Sequence, residues 1–274
     1  MTQETIQFPF SASGKNMLRG FSKQSHKFEV PFCELIDNSL SARKKTIGTQ
    51  LQHAYIEVIV EELNNGNYSV IVADNGTGIS KKQIIDENNS IFNVGHDNPN
   101  KGTMNEHGFG LKTAIMMLTL NVKEEDQFTL VSNVGEDYFR VDGPLGGISG
   151  NSMEMKITDS KDWKDGLFNL KESPSGVKIK LEVTGEYFKT VDIVGGNPGF
   201  EILIERLAEH LGVIYNLYLK EGNEIYLYYK SKSDTEHQNH KIPAIPTPFL
   251  SNKDVQIDSR TLETEIDGKK YKVK

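Results

Sequence analysis

Phe28-Glu29-Val30-Pro31-Phe32-Cys33-Glu34-Leu35-Ile36-Asp37-Asn38-Ser39-Leu40-Ser41-Ala42-Arg43-Lys44-Lys45 decides how this 274-residue chain is read. Its apolar residues Val30, Cys33, Leu35, Ile36, Leu40 and Ala42 recur at helical spacings. Pro31 is tolerated in a first turn, where its missing N–H is not needed. Such a helix places Glu34, Asp37, Asn38 and Ser41 on one stripe, because positions i, i+3, i+4 and i+7 share a face. A polar stripe beside an apolar one predicts a helix that packs on a core and lines a pocket. Arg43-Lys44-Lys45 reads as a solvated helix end, where positive charge suits the dipole.

Working outward, residues 54–62 alternate as a strand does, Asn64-Asn65-Gly66-Asn67 makes a turn, and Tyr68 to Ala73 makes a second strand. This hairpin feeds Asp74-Asn75-Gly76-Thr77-Gly78. A carboxylate accepts hydrogen bonds and cannot donate them, so Asp74 suits the exocyclic amino group of adenine and repels the carbonyl of guanine. Gly76 and Gly78 let the backbone turn and a base approach without a Cβ in the way. Residues 86–107 are rich in Asn, Gly, Asp and Lys and read as a long loop of the kind that forms lids, with Gly95, Gly102 and Asn105 as hinges. Gly108-Phe109-Gly110-Leu111-Lys112 then opens a second helix, whose unpaired N–H groups suit phosphate and whose Lys112 adds a point charge.

Taken singly, each segment has a plainer reading: a surface glutamate, a strand-connecting turn, a helix cap followed by a solvated lysine. In this order they supply the parts of a magnesium–ATP site. Glu34 is the candidate general base for the attacking water. Asn38, one turn on, offers its side-chain oxygen to Mg2+. Asp74, Gly76 and Gly78 form the adenine end, and Gly108, Phe109, Gly110, Leu111 and Lys112 the phosphate end. His26 and His107 lie near these motifs and are assigned structural or surface roles.

With these motifs the chain resembles the GHKL ATPase superfamily, which includes DNA gyrase B, the heat-shock chaperone ATPases, histidine kinases and MutL, and within it the MORC ATPases. The likeness rests on Ser25-His26-Lys27-Phe28 leading into Glu34 to Ala42, on Asp74 to Ile79, and on Gly108 to Thr113, within roughly residues 20–185. It implies a glutamate base at Glu34, magnesium on Asn38, adenine on Asp74, an ATP lid before the last helix and phosphate contact at Lys112. Two departures stand out. Relatives often carry an acidic residue where this chain has Ser41, and a Gly-Thr pair near adenine where it has Ser175-Gly176-Val177.

Further strands are expected at Phe128 to Ser132, Tyr138 to Val141, Ser152 to Ile157 and Val177 to Val183, making an antiparallel sheet with helices on one face. The fold class is therefore α+β, a two-layer α/β sandwich of the GHKL/Bergerat ATP-binding type, with a partial transducer-like subdomain. Residues 1–15 read as an N-terminal arm, 16–195 as the ATP-binding domain and 196–274 as the start of a transducer-like domain, the break falling at Gly195-Gly196-Asn197-Pro198-Gly199. Lys241 and Lys253 are possible phosphate-reaching residues of that second part. Trp163, amid charged residues, reads as a surface loop anchor.

The chain is 36% hydrophobic and 25% charged, the composition of an ordinary soluble protein, and its net charge of −7 argues against whole-molecule attraction to nucleic acid. No apolar run approaches the length of a membrane span, no secretory signal opens the chain, and the single Cys33 fits a reducing compartment. A cytoplasmic setting, or a nuclear one in a eukaryote, is expected. The leading functional reading is a MORC-like, magnesium-dependent ATPase clamp that dimerises on ATP. Its alternatives are a nucleotide-gated interaction module with negligible turnover and a GHKL protein kinase. Protein or DNA clients through other regions are compatible with each.

Overall fold

Side chains that alternate with period two divide the sheet into two differently covered faces. The computed structural model describes residues 3–9, 28–43, 52–85, 91, 110–119, 128–135, 137–143, 152–185, 199–246, 262–266 and 269–273. Its strands are β1 (Gln3–Pro9), β2 (Tyr55–Glu62), β3 (Tyr68–Asp74), β4 (Phe128–Val134), β5 (Asp137–Gly143), β6 (Ser152–Asp159), β7 (Ser175–Val183), β8 (Glu224–Lys230) and β9 (Gln238–Lys241). They form one nine-stranded sheet in the order β1-β6-β5-β4-β7-β3-β2-β8-β9. Every pairing is antiparallel except β2 with β8. A separate hairpin joins β10 (Leu262–Ile266) to β11 (Lys269–Val273).

Three longer helices cover one face: α1 (Val30–Ser41), α3 (Gly110–Thr119) and α4 (Phe200–Ile214). Two short ones, α2 (Lys81–Ile85) and α5 (Asn216–Lys220), complete the helical set among the described residues. Phe32, Leu35, Ile36 and Leu40 of α1 pack with Ile56, Val58 and Val60 of β2, Val70 and Val72 of β3, and Leu203 and Leu207 of α4. Each fully buried side chain of this size contributes about 1.5–3 kcal/mol, so the stripe on α1 alone seats the helix firmly. No described helix is long and apolar enough to cross a membrane.

The same sheet and core run across the break that the sequence places near residue 195. β8 lies parallel to β2, Tyr55 opposite Glu224 through Glu61 opposite Lys230, and α4 shares the core of α1. Within the segment read as the start of a transducer-like domain, α4 and β8 thus extend the first sandwich, their apolar side chains sharing its core. The segment read as an N-terminal arm contains an edge strand, β1, paired with β6 from Gln3 opposite Thr158 to Pro9 opposite Ser152.

On the other face a strap of residues 160–174 crosses the sheet with two 3-10 turns, Asp162–Lys164 and Leu170–Glu172. It buries Trp163, Leu167 and Leu170 against Ile59, Ile71, Ala73, Val131 and Tyr228. Trp163 is fully buried, which corrects its reading as a surface anchor: the charged neighbours face water while the indole points into the sheet. Two buried charges clamp the strap. The Glu57 carboxylate accepts the backbone N–H groups of Phe168 (3.0 Å), Asn169 (2.6 Å) and Leu170 (2.9 Å). The Lys178 ammonium donates to the carbonyls of Trp163 (3.0 Å), Asp165 (2.9 Å) and Asp162. Burial pushes Lys178 down to about 8, against the pull of the Asp165 and Asp162 carboxylates.

Candidate nucleotide site

α1 carries the polar residues in two directions. Asn38 Nδ2 donates to the Glu34 carbonyl at 2.7 Å, which orients the amide. A Cβ added at Gly110 would overlap Glu34 Oε2 and lie 3.7 Å from Asn38 Nδ2, so the first residue of α3 abuts both side chains. Asp37 points elsewhere, correcting the single-stripe expectation. Its Oδ1 accepts from the Tyr215 hydroxyl at 2.7 Å, next to the Cys33 carbonyl at 2.9 Å, where α4 ends. Successive residues turn by about 100° around a helix, so Asn38 stays close to the direction of Glu34 while Asp37 diverges from both. Burial raises the Asp37 carboxyl, opposed by the Tyr215 hydrogen bond, and pushes the Cys33 thiol up to about 12. Ser41 Oγ is buried with no hydrogen-bond partner.

The Asp74 turn docks on the other end of α1. Thr77 N–H donates to the Ala42 carbonyl at 2.9 Å, and a Cβ at Gly76 would sit 2.7 Å from that oxygen. Gly78 adopts φ +73°, with no room for a Cβ against the Asn133 carbonyl, so both the conformation and the space demand glycine. Asp74 is 4% exposed. Its Oδ1 accepts from Gly76 N–H at 2.8 Å and Val177 N–H at 3.3 Å. Ser132 Oγ bonds both the N–H and the carbonyl of Ile79 at 2.8 Å, and Ser175 Oγ donates to the Gly76 carbonyl at 2.7 Å.

The Ser175-Gly176-Val177 departure therefore has a structural outcome. The strand supplies Asp74 with a backbone N–H from Val177, and the one hydroxyl of this segment braces the turn instead. Sequence reasoning could not find Ser132 or the contacts that Ser175 and Val177 make, because these depend on the β4-β7-β3 pairing. Gly108 and Phe109 lie outside the described residues, as do His26, His107, the hinges Gly95, Gly102 and Asn105, and Lys253. Leu111 is half-buried against the core, and Lys112 lies in α3 with its side chain outside the described set. The Lys241 ammonium is paired with Glu224 over the Tyr226 ring. Arg43 Nε caps the Leu40 carbonyl at 2.8 Å, the helix-end role that its position suggests.

The Gly110 contact makes a local prediction. Gly110→Ala should turn the Glu34 carboxylate aside and leave stability within about 1 kcal/mol of wild type, because the atom it meets is the far end of a flexible side chain. A crystal structure and thermal unfolding of the variant check this, and a carboxylate left in place or a midpoint lowered by many degrees would contradict the packing described.

Residues 26–128 match the family described as histidine kinase-, DNA gyrase B-, and HSP90-like ATPases. Over 176 residues the chain is 24% identical to one of the subunits of the type 2 DNA topoisomerase 6 of Methanococcoides burtonii, covering 62% of this chain and 25% of that protein. The match thus spans about a quarter of that relative's length.

Proposed function

Because residues 26–128 match the histidine kinase-, DNA gyrase B- and HSP90-like ATPases, of which ATP binding is expected, we propose that the chain is a magnesium-dependent ATPase whose site runs along α1. The adenine amino group is read by Asp74, with Gly76 and Gly78 leaving space for the base. The phosphates lie toward Glu34, Asn38 and the segment Gly108, Phe109, Gly110, Leu111, Lys112. One observation carries this reading: α1 touches the Asp74 turn through Ala42 and the start of α3 through Glu34 and Asn38, so a single rigid element spaces both ends.

The donor set at the phosphate end fits Mg2+, which takes oxygen ligands and keeps most of its waters. The Asn38 amide is oriented by the bond from its nitrogen, and its oxygen is the atom type the ion takes. When bound, the ion neutralises charge developing on the phosphate oxygens. Glu34 orients the attacking water and accepts its proton as the bond from oxygen to the γ-phosphorus forms and ADP leaves. The backbone N–H groups at the start of α3 hold negative charge in place.

We assign the cycle to a MORC-like clamp in which ATP closes residues 86–107 over the site and drives homodimerisation, in a cytoplasmic or nuclear setting. The name of the relative makes DNA the first client to test and leaves a protein client as the alternative. The test of the adenine assignment is Asp74→Asn. An amide both donates and accepts, so the preference for ATP over GTP should fall by about tenfold or more in equilibrium binding. An unchanged preference would remove Asp74 from that role.

A further inference from the structure

We infer that the back-face strap of residues 160–174 is a positioning element for the adenine end of the site, acting through Trp163 and Gly176 on Asp74. This rests on the reading of Asp74 as the adenine contact. Gly176 is where the strap meets the strand that carries Asp74: a Cβ there would overlap the Asp74 carbonyl oxygen and come within 2.8 Å of Trp163 Cη2. Its φ of +154° adds to the demand for glycine. The residues flanking it make the turn contacts, Ser175 to the Gly76 carbonyl and Val177 to Asp74 Oδ1. The indole therefore backs the segment that holds the carboxylate.

Trp163 is set in place by the clamps rather than by its own polar group. Its indole nitrogen is buried with no hydrogen-bond partner, whereas its carbonyl accepts from Lys178, the residue after Val177 on the same strand. Ring packing is what the tryptophan contributes. Removing the ring opens a space into which Gly176 and Val177 relax, and Asp74 loses the alignment on which selective base recognition depends.

Trp163 is the single tryptophan of the chain, so its emission reports on this contact directly. The experiment titrates the full chain, with magnesium, against ATP, GTP and inorganic tripolyphosphate, following tryptophan emission and calorimetric heat together. ATP should change the emission with the same midpoint as the heat, and tripolyphosphate, which has no base, should leave it unchanged. Trp163→Leu should weaken ATP about tenfold and reduce the ATP:GTP ratio while tripolyphosphate binding stays the same, and Trp163→Tyr should recover most of the loss. If ATP binds with no emission change, or Trp163→Leu keeps the wild-type ATP:GTP ratio, the positioning role is overturned and the ATP site stands. If wild-type chain binds no ATP by calorimetry, both readings fall. Should Trp163→Leu not fold, the wild-type emission titration decides alone.

Discussion

Glu34→Ala is expected to lower phosphate release by about 10²–10⁴-fold while ATP still binds. Glu34 sits on the half-buried side of α1, beside Asn38 and against the start of α3. In the proposed site no other carboxylate is assigned to the attacking water, and Asp37 is occupied by the Tyr215 hydroxyl. Truncation removes the proton acceptor and leaves Asn38 and the α3 N–H groups to hold the phosphates. Chains that bind without turnover should collect as ATP-bound dimers, seen by light scattering in the same samples. Phosphate release at the wild-type rate would take the base role away from Glu34, and loss of ATP binding would make it a binding residue.

The second large effect lies on the opposite face. Glu57→Leu should destabilise the fold by roughly 3 kcal/mol or more, because three backbone N–H groups of the strap lose a charged acceptor in a place shut off from water. For a domain of this size that corresponds to a fall in Tm of about 6–12 °C. Glu57→Gln keeps one acceptor oxygen but turns an amide toward a donor, so it should lie between the two. A Tm for Glu57→Leu within a degree or two of wild type would show that the strap is not held through this carboxylate. Loosening the strap should also weaken ATP selectivity, since Trp163 travels with it.

Elements with strong local periodicity could be read in advance. The β2–β3 hairpin with its Asn-Asn-Gly-Asn turn and the strands β4 to β7 all lie within two residues of their expected bounds, and the stripe of Leu35, Ile36 and Leu40 falls in a helix that ends at Ser41, short of the expected Lys45. The three motifs of the site were visible because each combines a glycine or carboxylate with an element boundary. What stayed hidden depends on contacts far apart in sequence. The parallel β2–β8 pairing joins segments far apart in the chain, with α4 in the same core, and nothing local in the sequence of residues 195–199 records it. Glu57 and Lys178 look like solvent-facing positions of amphipathic strands, and only the strap, more than a hundred residues from Glu57, makes them buried clamps. The capping pair Ser80 and Gln83, which bond each other's backbone and side chain at the start of α2, was a readable signal that the glycine-rich surroundings mask.

The most direct test of an ATP site along α1 is a crystal structure of the chain with a non-hydrolysable ATP analogue and magnesium. The adenine amino group is expected at hydrogen-bond distance from the Asp74 carboxylate, the ion on the Asn38 oxygen, and the γ-phosphate between Glu34 and the start of α3. An analogue bound elsewhere, or with its base away from Asp74 and its phosphates away from Glu34 and Asn38, would contradict the assignment.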